Sequence, residues 1–472
     1  GNHLFYANGS QFFVRGVAYQ DGGARAVRSS VAKPYIDPLS DISKCERDIP
    51  EMIKLGINLI RVYALNASSD HSACMRSFDD VGIYALIELG NGIEDIFQTQ
   101  RSTWTHVLQD RFEKLVDDFH EYTNVLGFIV ASEVVTDRNR TTAMPFVKAA
   151  VRDTKTYIKA KGHRNIPVGY TGSDDVAVSK VPSYLVCADV WSTPTIDFYG
   201  VSLYGWCGES NLEASGYQRQ IQAFQAYPKP VIISEYGCKK PSPRAFKEVS
   251  AIYGEKSMTD VFSGAIVYQY YNDSYNSGLI NVMGNNVEET LDYTALSSQL
   301  ALYTPSSTSI GKWPSVTSRS QIPCPTIDSA FFAGTQWPIT PNKGICTCML
   351  QSLACAGDPN NVEQTSLDAL ELLCGESEIN PKCAGITGNS TTDMYGTLGT
   401  GTIMCSPSER FFFVQNQFYV SQADVAKPPE ERCSSLHGTI QSPQATRSVS
   451  NACQIVLRQA GPQGTGTITS TP

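Results

Sequence analysis

No run of about 18 uninterrupted apolar residues occurs in the 472-residue chain, so the sequence offers no membrane-spanning helix. It has no Lys/Arg-rich run either. With 37 basic residues against 46 acidic ones, the net charge is −9. That balance makes nucleic acid and anionic membranes poor partners, while a neutral sugar polymer is compatible with it. No GxGxxG follows the first strand-like run, which argues against a dinucleotide-binding sheet. There are six histidines, and none falls in a strand-like run. Ser/His/Asp and HExxH chemistry are therefore disfavoured. The cysteines lack the CxxC pairs of a zinc site, since the tightest spacing is CTC at Cys346–Cys348. Neither a metal nor a cofactor is expected. The opening GNHLFYANGS has no leader character, and a mature chain is expected.

What is present is an uneven set of 14 cysteines. Cys45, Cys74, Cys187, Cys207, Cys238 and Cys324 are scattered over the first two-thirds. Cys346, Cys348, Cys355, Cys374, Cys383, Cys405, Cys433 and Cys453 crowd the remainder. Sequons stand at Asn8, Asn66, Asn139, Asn272 and Asn389. Together they favour disulfides in an oxidising, glycosylating compartment.

Apolar strand-like runs alternate with helical patterns. QFFVRGVAY, INLIRVYAL, IYALIELG, VLGFIVASEVV, IPVGYTGSDD, DFYGVSLYGW, KPVIISEYGC and GAIVYQYY make eight strand candidates. Such alternation implies parallel pairing covered on both faces, and eight units predict an α/β fold, a (β/α)8 TIM barrel. The expected division is a catalytic domain over 1–322, a Ser/Thr/Pro-rich strap over 323–343, a cysteine-rich module over 344–460 and a flexible tail over 461–472. The module is expected to contain a helical SLDALELLCG and an aromatic strand RFFFVQNQFYV. It is too small to rely on its core alone, so disulfides should supply much of its stability.

Two of the apolar runs end in a carboxylate, Glu133 in GFIVASEVV and Glu235 in VIISEYGC. A carboxylate at the edge of an apolar element is costly unless it is paired or used. On the strand count these two end strands four and seven, at the face where such barrels do their chemistry. One strand-end Glu is more often a cap or an ion-pair partner; two facing one pocket support glycoside cleavage. One then acts as general acid/base and the other as nucleophile, ~5–5.5 Å apart in a retaining enzyme. Tyr63, Tyr204, Tyr268 and Tyr270 mark strand ends and are candidate walls for sugar faces.

At FFVRGVAYQ, DPLSDISKCERDIPEMIKLGINLIRVYAL, NVLGFIVASEV, FVKAAVRDTKTYIKAKGHRNIPVGYTGSDD, LYGWCGES, VIISEYGC and YTALSSQ the chain resembles the fungal β-1,3-glucanosyltransferases of glycoside hydrolase family 72. The cysteine-dense block resembles a family 43 carbohydrate-binding module. The resemblance implies a retaining transglycosylase. It would cut an internal β-1,3-glucan bond and pass the new reducing end to the non-reducing end of another glucan. Glu133 matches the acid/base and Glu235 the nucleophile; Tyr63, Asp174, Tyr204 and Tyr268 match sugar-contacting positions. Ser132 stands where the family carries Asn, and Ser277 where it carries Tyr. The family's Arg a few residues after Asp174 has no counterpart here. The implied disulfides are Cys45–Cys74, Cys187–Cys324 and Cys207–Cys238. The implied setting is a secreted, monomeric cell-wall glycoprotein, GPI-anchored as a precursor. The alternatives are an endo-β-1,3-glucanase and a catalytically weak glucan-binding wall protein.

Overall fold

The computed structural model describes residues 3–21, 35–91, 95–98, 101–175, 178–187, 195–273, 276–313, 322–357, 405–421, 427–434, 439–440 and 450–462, with 374, 383, 385, 464, 466 and 468 as single positions. By contacts the chain forms two compact units, Gly1–Gln98 with Arg111–Phe331, and Thr99–Asp110 with Phe332–Pro472. The short segment Thr99–Asp110 thus belongs with the C-terminal residues, whereas the sequence division had kept it in the first domain.

The first unit is a closed barrel of eight parallel strands. These are β1 (Val14–Ala18), β2 (Leu59–Val62), β3 (Tyr84–Glu88), β4 (Val125–Ser132), β5 (Val168–Ser173), β6 (Tyr199–Leu203), β7 (Val231–Tyr236) and β8 (Phe262–Val267). Each coincides with one of the eight apolar runs. They pair in chain order, and β8 closes on β1 through Gly264–Val14 to Val267–Val17. Closure demands glycine there. Gly264 has φ +95, and a Cβ on it would lie 2.1 Å from the Val14 carbonyl oxygen.

The main helices between the strands are α1 (Ile42–Lys54), α2 (Ser72–Asp80), α3 (His106–Phe119), α4 (Met144–Ala160), α5 (Val181–Val186), α6 (Tyr217–Phe224) and α7 (Glu248–Gly254), and α8 (Leu291–Leu302) follows the last strand. Local chemistry sets their starts. The Asp41 carboxylate accepts from the Ser43 N–H ahead of α1, and the Thr290 hydroxyl from the Tyr293 N–H ahead of α8.

Inside the barrel, Val14, Leu59, Ile129, Ile232 and Ile266 form an apolar plug, with Phe12 packed beneath it. Cys45–Cys74 ties α1 to α2, Cys187–Cys324 holds the strap to the end of α5, and Cys207–Cys238 joins the segments after β6 and β7.

The second unit contains α9 (Lys343–Ser352), α10 (Pro407–Ser421), α11 (Pro429–Ser434) and α12 (Asn451–Ala460), with a two-stranded antiparallel pair, Cys355–Ala356 and Thr439–Ile440. Its core is Ile345, Met349, Phe412, Phe413 and Val456, together with disulfide sulfurs. Four disulfides lie within it: Cys346–Cys405, Cys348–Cys453, Cys355–Cys433 and Cys374–Cys383.

RFFFVQNQFYV is not a strand but most of the 15-residue helix α10. A capping box outweighs its aromatic content: Glu409 N–H donates to Ser406 Oγ at 3.2 Å, and Ser406 N–H to the Glu409 carboxylate at 2.6 Å. Pro407 occupies the first helical position, where its missing N–H costs nothing. The expected helix SLDALELLCG lies outside the described residues except for Cys374.

Candidate active site

Along β2, side chains alternate faces, so Leu59 and Tyr63 enter the barrel interior with Arg61 between them. Arg61 is fully buried, in a charged state that can persist only if every donor finds a partner. Its Nε donates to Glu88 at 3.1 Å, at the end of β3. Nη1 donates to the Ser234 carbonyl at 2.9 Å and to Glu235 Oε1 at 3.2 Å, both on β7. Nη2 donates to Ser132 Oγ at 2.8 Å on β4 and to Thr171 Oγ1 at 3.2 Å on β5. The guanidinium also lies 4.4 Å from the Tyr63 ring centroid. Burial opposes its charge, but Tyr63, Glu88 and Glu235 hold its pKa above the ordinary arginine value. One cation thus fastens four strands just below the strand ends.

Three donors converge on Glu235. Arg61 and the Tyr63 hydroxyl, at 2.9 Å, reach Oε1, and the Tyr204 hydroxyl reaches Oε2 at 2.7 Å. Burial raises the pKa of both phenols, so each keeps its proton to donate. The carboxylate is therefore held in a fixed orientation, only 7% exposed.

Glu133 sits differently. It is half-buried, immediately beyond β4, with φ at 50°, in the left-handed region that costs a non-glycine residue about 1–3 kcal/mol. Its N–H donates to the Thr171 carbonyl at 2.9 Å. Asp174 lies near enough for Glu133 to add to a raised pKa that comes mainly from burial and is opposed by Arg219.

Both carboxylates follow an irregularity in pairing. The β4–β5 register shifts between Ile129 and Ser132, and the β6–β7 register between Val201 and Ser202, where Glu235 pairs with Ser202. A bulge re-aims the residue after it, which is how a strand can keep its core face and still present a carboxylate at its end.

Tyr63, Ser132, Tyr204 and Glu235 therefore meet in one hydrogen-bonded group, and Asp174 and Glu133 are electrostatic neighbours. Tyr268 joins through its ring, which packs edge-on to Tyr204 with centroids 6.5 Å apart. Tyr270 does not: it is fully buried and its hydroxyl donates to the Asp48 carbonyl of α1 at 3.2 Å. Cys207–Cys238 closes just past Tyr204 and Glu235, tethering the ends of the two strands that carry them.

Sequence reasoning had passed over Arg61, Glu88 and Thr171. The argument that found the glutamates applies equally to the arginine in LIRVY and the glutamate in LIELG. In the second unit, His106, Cys346 and Glu409 offer ligand atoms within 4.8 Å of one another. The Cys346 sulfur is bound in the disulfide with Cys405 and so is no thiolate ligand.

Residues 1–303 match the glucanosyltransferase family of glycoside hydrolases 72. A 1,3-beta-glucanosyltransferase of Arthroderma benhamiae is 37% identical, over 100% of this chain and 84% of that protein. The 1,3-beta-glucanosyltransferase gas1 of Schizosaccharomyces pombe is 38% identical over 90% of this chain and 76% of its own length. Among solved structures, Gas2p of Saccharomyces cerevisiae in complex with laminaripentaose superimposes with a TM-score of 0.79 at 32% identity, covering 91% of this chain and 93% of that one. The chain belongs to the family 72 glucanosyltransferases.

Proposed function

We propose that the chain is a retaining β-1,3-glucan transglycosylase, with Glu235 as nucleophile and Glu133 as general acid/base. The observation that carries this reading is the unequal setting of the two strand-end carboxylates. Glu235 is held in a fixed orientation by three donors. Glu133 stands half-exposed at the rim, where a leaving oxygen and later an incoming hydroxyl can reach it.

In the first step Glu133 protonates the glycosidic oxygen while Glu235 attacks the anomeric carbon, forming a glycosyl-enzyme and releasing the reducing-end fragment. In the second, Glu133 takes a proton from the 3-hydroxyl of an acceptor glucan, which displaces Glu235 and restores the β-linkage. Tyr63 and Tyr204 donate to the nucleophile, while Arg61 fixes the strand ends around it. Tyr268 and Asp174 complete the sugar-facing wall. Ser132 acts through Arg61 as well as at the sugar edge, because its hydroxyl accepts from the guanidinium.

The laminaripentaose held by the yeast structure supports the choice of substrate class. No described helix is long and apolar enough to cross a membrane. The seven disulfide pairs support a secreted enzyme folded in an oxidising compartment; a cell-wall setting, a lipid-anchored precursor and a monomeric state are proposed on the family resemblance alone. The second unit is read as the carbohydrate-binding module.

Product analysis tests the reaction. From one linear β-1,3-gluco-oligosaccharide the enzyme should produce chains longer than the substrate together with the matching shorter fragment. Shorter products alone, at every substrate concentration, would assign hydrolysis instead.

A further inference from the structure

The first unit has a second concavity, a cavity of about 690 Å³ lined by residues from Gln11 to Trp313. It lies at the far end of the barrel from the carboxylates. Gln11 precedes β1 and Lys256–Asp260 precede β8, whereas Glu133 and Glu235 follow or end their strands. That volume is within the ordinary range of small-ligand sites, about 300–1,000 Å³.

Its walls are built in advance. Gln11 N–H donates to the Thr308 carbonyl at 3.0 Å, and Ile310 N–H to the Gly9 carbonyl at 2.8 Å. Thr308 N–H donates to the Gln11 side chain at 3.1 Å. The stretch after α8 is thereby pinned as an extra edge on the antiparallel N-terminal hairpin of Leu4–Phe5 and Gln11–Phe12. Tyr303 packs so closely on Gly254 that a Cβ there would lie 2.9 Å from its ring. Trp313 is braced edge-on by His3 with centroids 4.4 Å apart. Tyr303 and Trp313, together with Tyr253, thus line a space otherwise rich in hydroxyls, from Thr304, Ser306, Ser307 and Thr308.

Aromatic surface beside hydrogen-bonding hydroxyls suits a sugar, whose ring faces are apolar and whose edges are polar. Charge points the same way. Lys256 is paired with Asp260, leaving Lys312 to bring the one further charge among the lining residues, too little to select an anion.

We propose that this cavity is a second, non-catalytic binding site for β-1,3-glucan, holding a neutral polymer at the end of the barrel opposite the chemistry. It rests on the glucan-transfer reading above. Its role is to keep the enzyme on an insoluble polymer between transfers.

Hydrogen exchange on the full chain carrying Glu235→Gln, with and without saturating laminaripentaose, tests it. Residues 253–260 and 302–313 should gain protection along with the carboxylate-bearing strand ends. Ser307→Trp places bulk in the cavity from an exposed position and leaves the barrel core untouched. It should abolish protection at 302–313 and weaken retention on insoluble β-1,3-glucan about fivefold, roughly the loss of one good contact. Turnover of laminaripentaose should stay within about twofold of the unsubstituted enzyme, since the catalytic end is unchanged. Protection at the strand ends without any at 302–313 overturns this site alone. Unchanged protection at 302–313 in Ser307→Trp overturns it as well. Loss of protection at the strand ends too would contradict the glucan reading itself.

Discussion

Along three strands of the barrel, interior residues two or three positions apart differ in kind: Leu59 against Arg61 on β2, Ile129 against Ser132 on β4, Ile232 against Glu235 on β7. The first of each pair belongs to a close-packed apolar layer at the end where strands begin. The second belongs to a charged, hydrogen-bonded layer where they finish. The apolar layer stabilises by burial, about 1.5–3 kcal/mol for each large side chain withdrawn from water. The charged layer gains little net stability, because desolvating a guanidinium and two carboxylates offsets most of their attraction. What it supplies is orientation, holding one carboxylate still while another remains reachable.

The contrast breaks most sharply at the carboxylates. Glu235→Gln and Glu133→Gln should each lower transfer ~10²–10⁴-fold while shifting thermal unfolding little, measured by oligosaccharide kinetics alongside calorimetry. A variant keeping more than a few per cent of turnover would remove that residue from the mechanism.

Arg61→Met should damage both properties at once. Leaving Glu88 and Glu235 buried without their cation costs about 3–5 kcal/mol of stability, visible as a lower denaturant midpoint, and turnover should fall with it. Arg61→Lys should recover part of the stability and little of the activity, since one ammonium cannot span four strands. At the opposite end, Leu59→Ala should cost about 2–5 kcal/mol of stability and leave kcat per folded molecule nearly intact. If Leu59→Ala depressed kcat as strongly as Arg61→Met, the two layers would not be separable.

The rim holds a further buried cation with a pH signature. His71 bridges Asp37 and Asp118, with Nε2 2.8 Å from Asp37. Burial lowers its pKa, yet the two carboxylates more than reverse that and raise it to about 9 from 6.5. A folded-state pKa above the unfolded one means the contribution is complete below about pH 6.5 and is lost as pH rises through about 9. Unfolding free energy should drop across that window by up to about 3 kcal/mol, and His71→Gln should flatten the dependence.

The smallest expected change is at Ser132. An asparagine there offers an amide that reaches farther into the pocket than the hydroxyl, and one such bond is worth ~0.5–1.5 kcal/mol. If it forms to the sugar 2-hydroxyl in the transition state, Ser132→Asn should raise kcat a few-fold and leave KM nearly unchanged. Equal or lower kcat would mean that the Arg61–Ser132–Thr171 contacts matter more than the extra donor.

All eight strands were legible because parallel barrel strands are covered on both faces and read as short, near-continuous apolar runs, here alternating regularly with helical patterns. Glu133 and Glu235 stood out because a carboxylate is conspicuous at the end of such a run. Arg61 and Glu88 are equally conspicuous in their runs, but a lone charge in a strand names no reaction, whereas two strand-end carboxylates do. The bulges before both glutamates were not legible: they arise from register between strands, which no single strand encodes. In α10 the misleading signal was FFFV, whose aromatic and β-branched content suits a strand. The deciding one was Ser406, Pro407 and Glu409 just ahead of it, a helix start written plainly in four residues.

In the proposed mechanism Glu235 becomes covalently glycosylated, with Glu133 as its acid/base partner. The most direct measurement uses Glu133→Gln with a β-linked laminaribiosyl fluoride, whose leaving group needs no acid, followed by peptide mass spectrometry. Under this assignment the glycosyl-enzyme should accumulate, because its release lacks a base, and the added mass should map to the peptide containing Glu235. No adduct, or one carried by Glu88 instead, would contradict it.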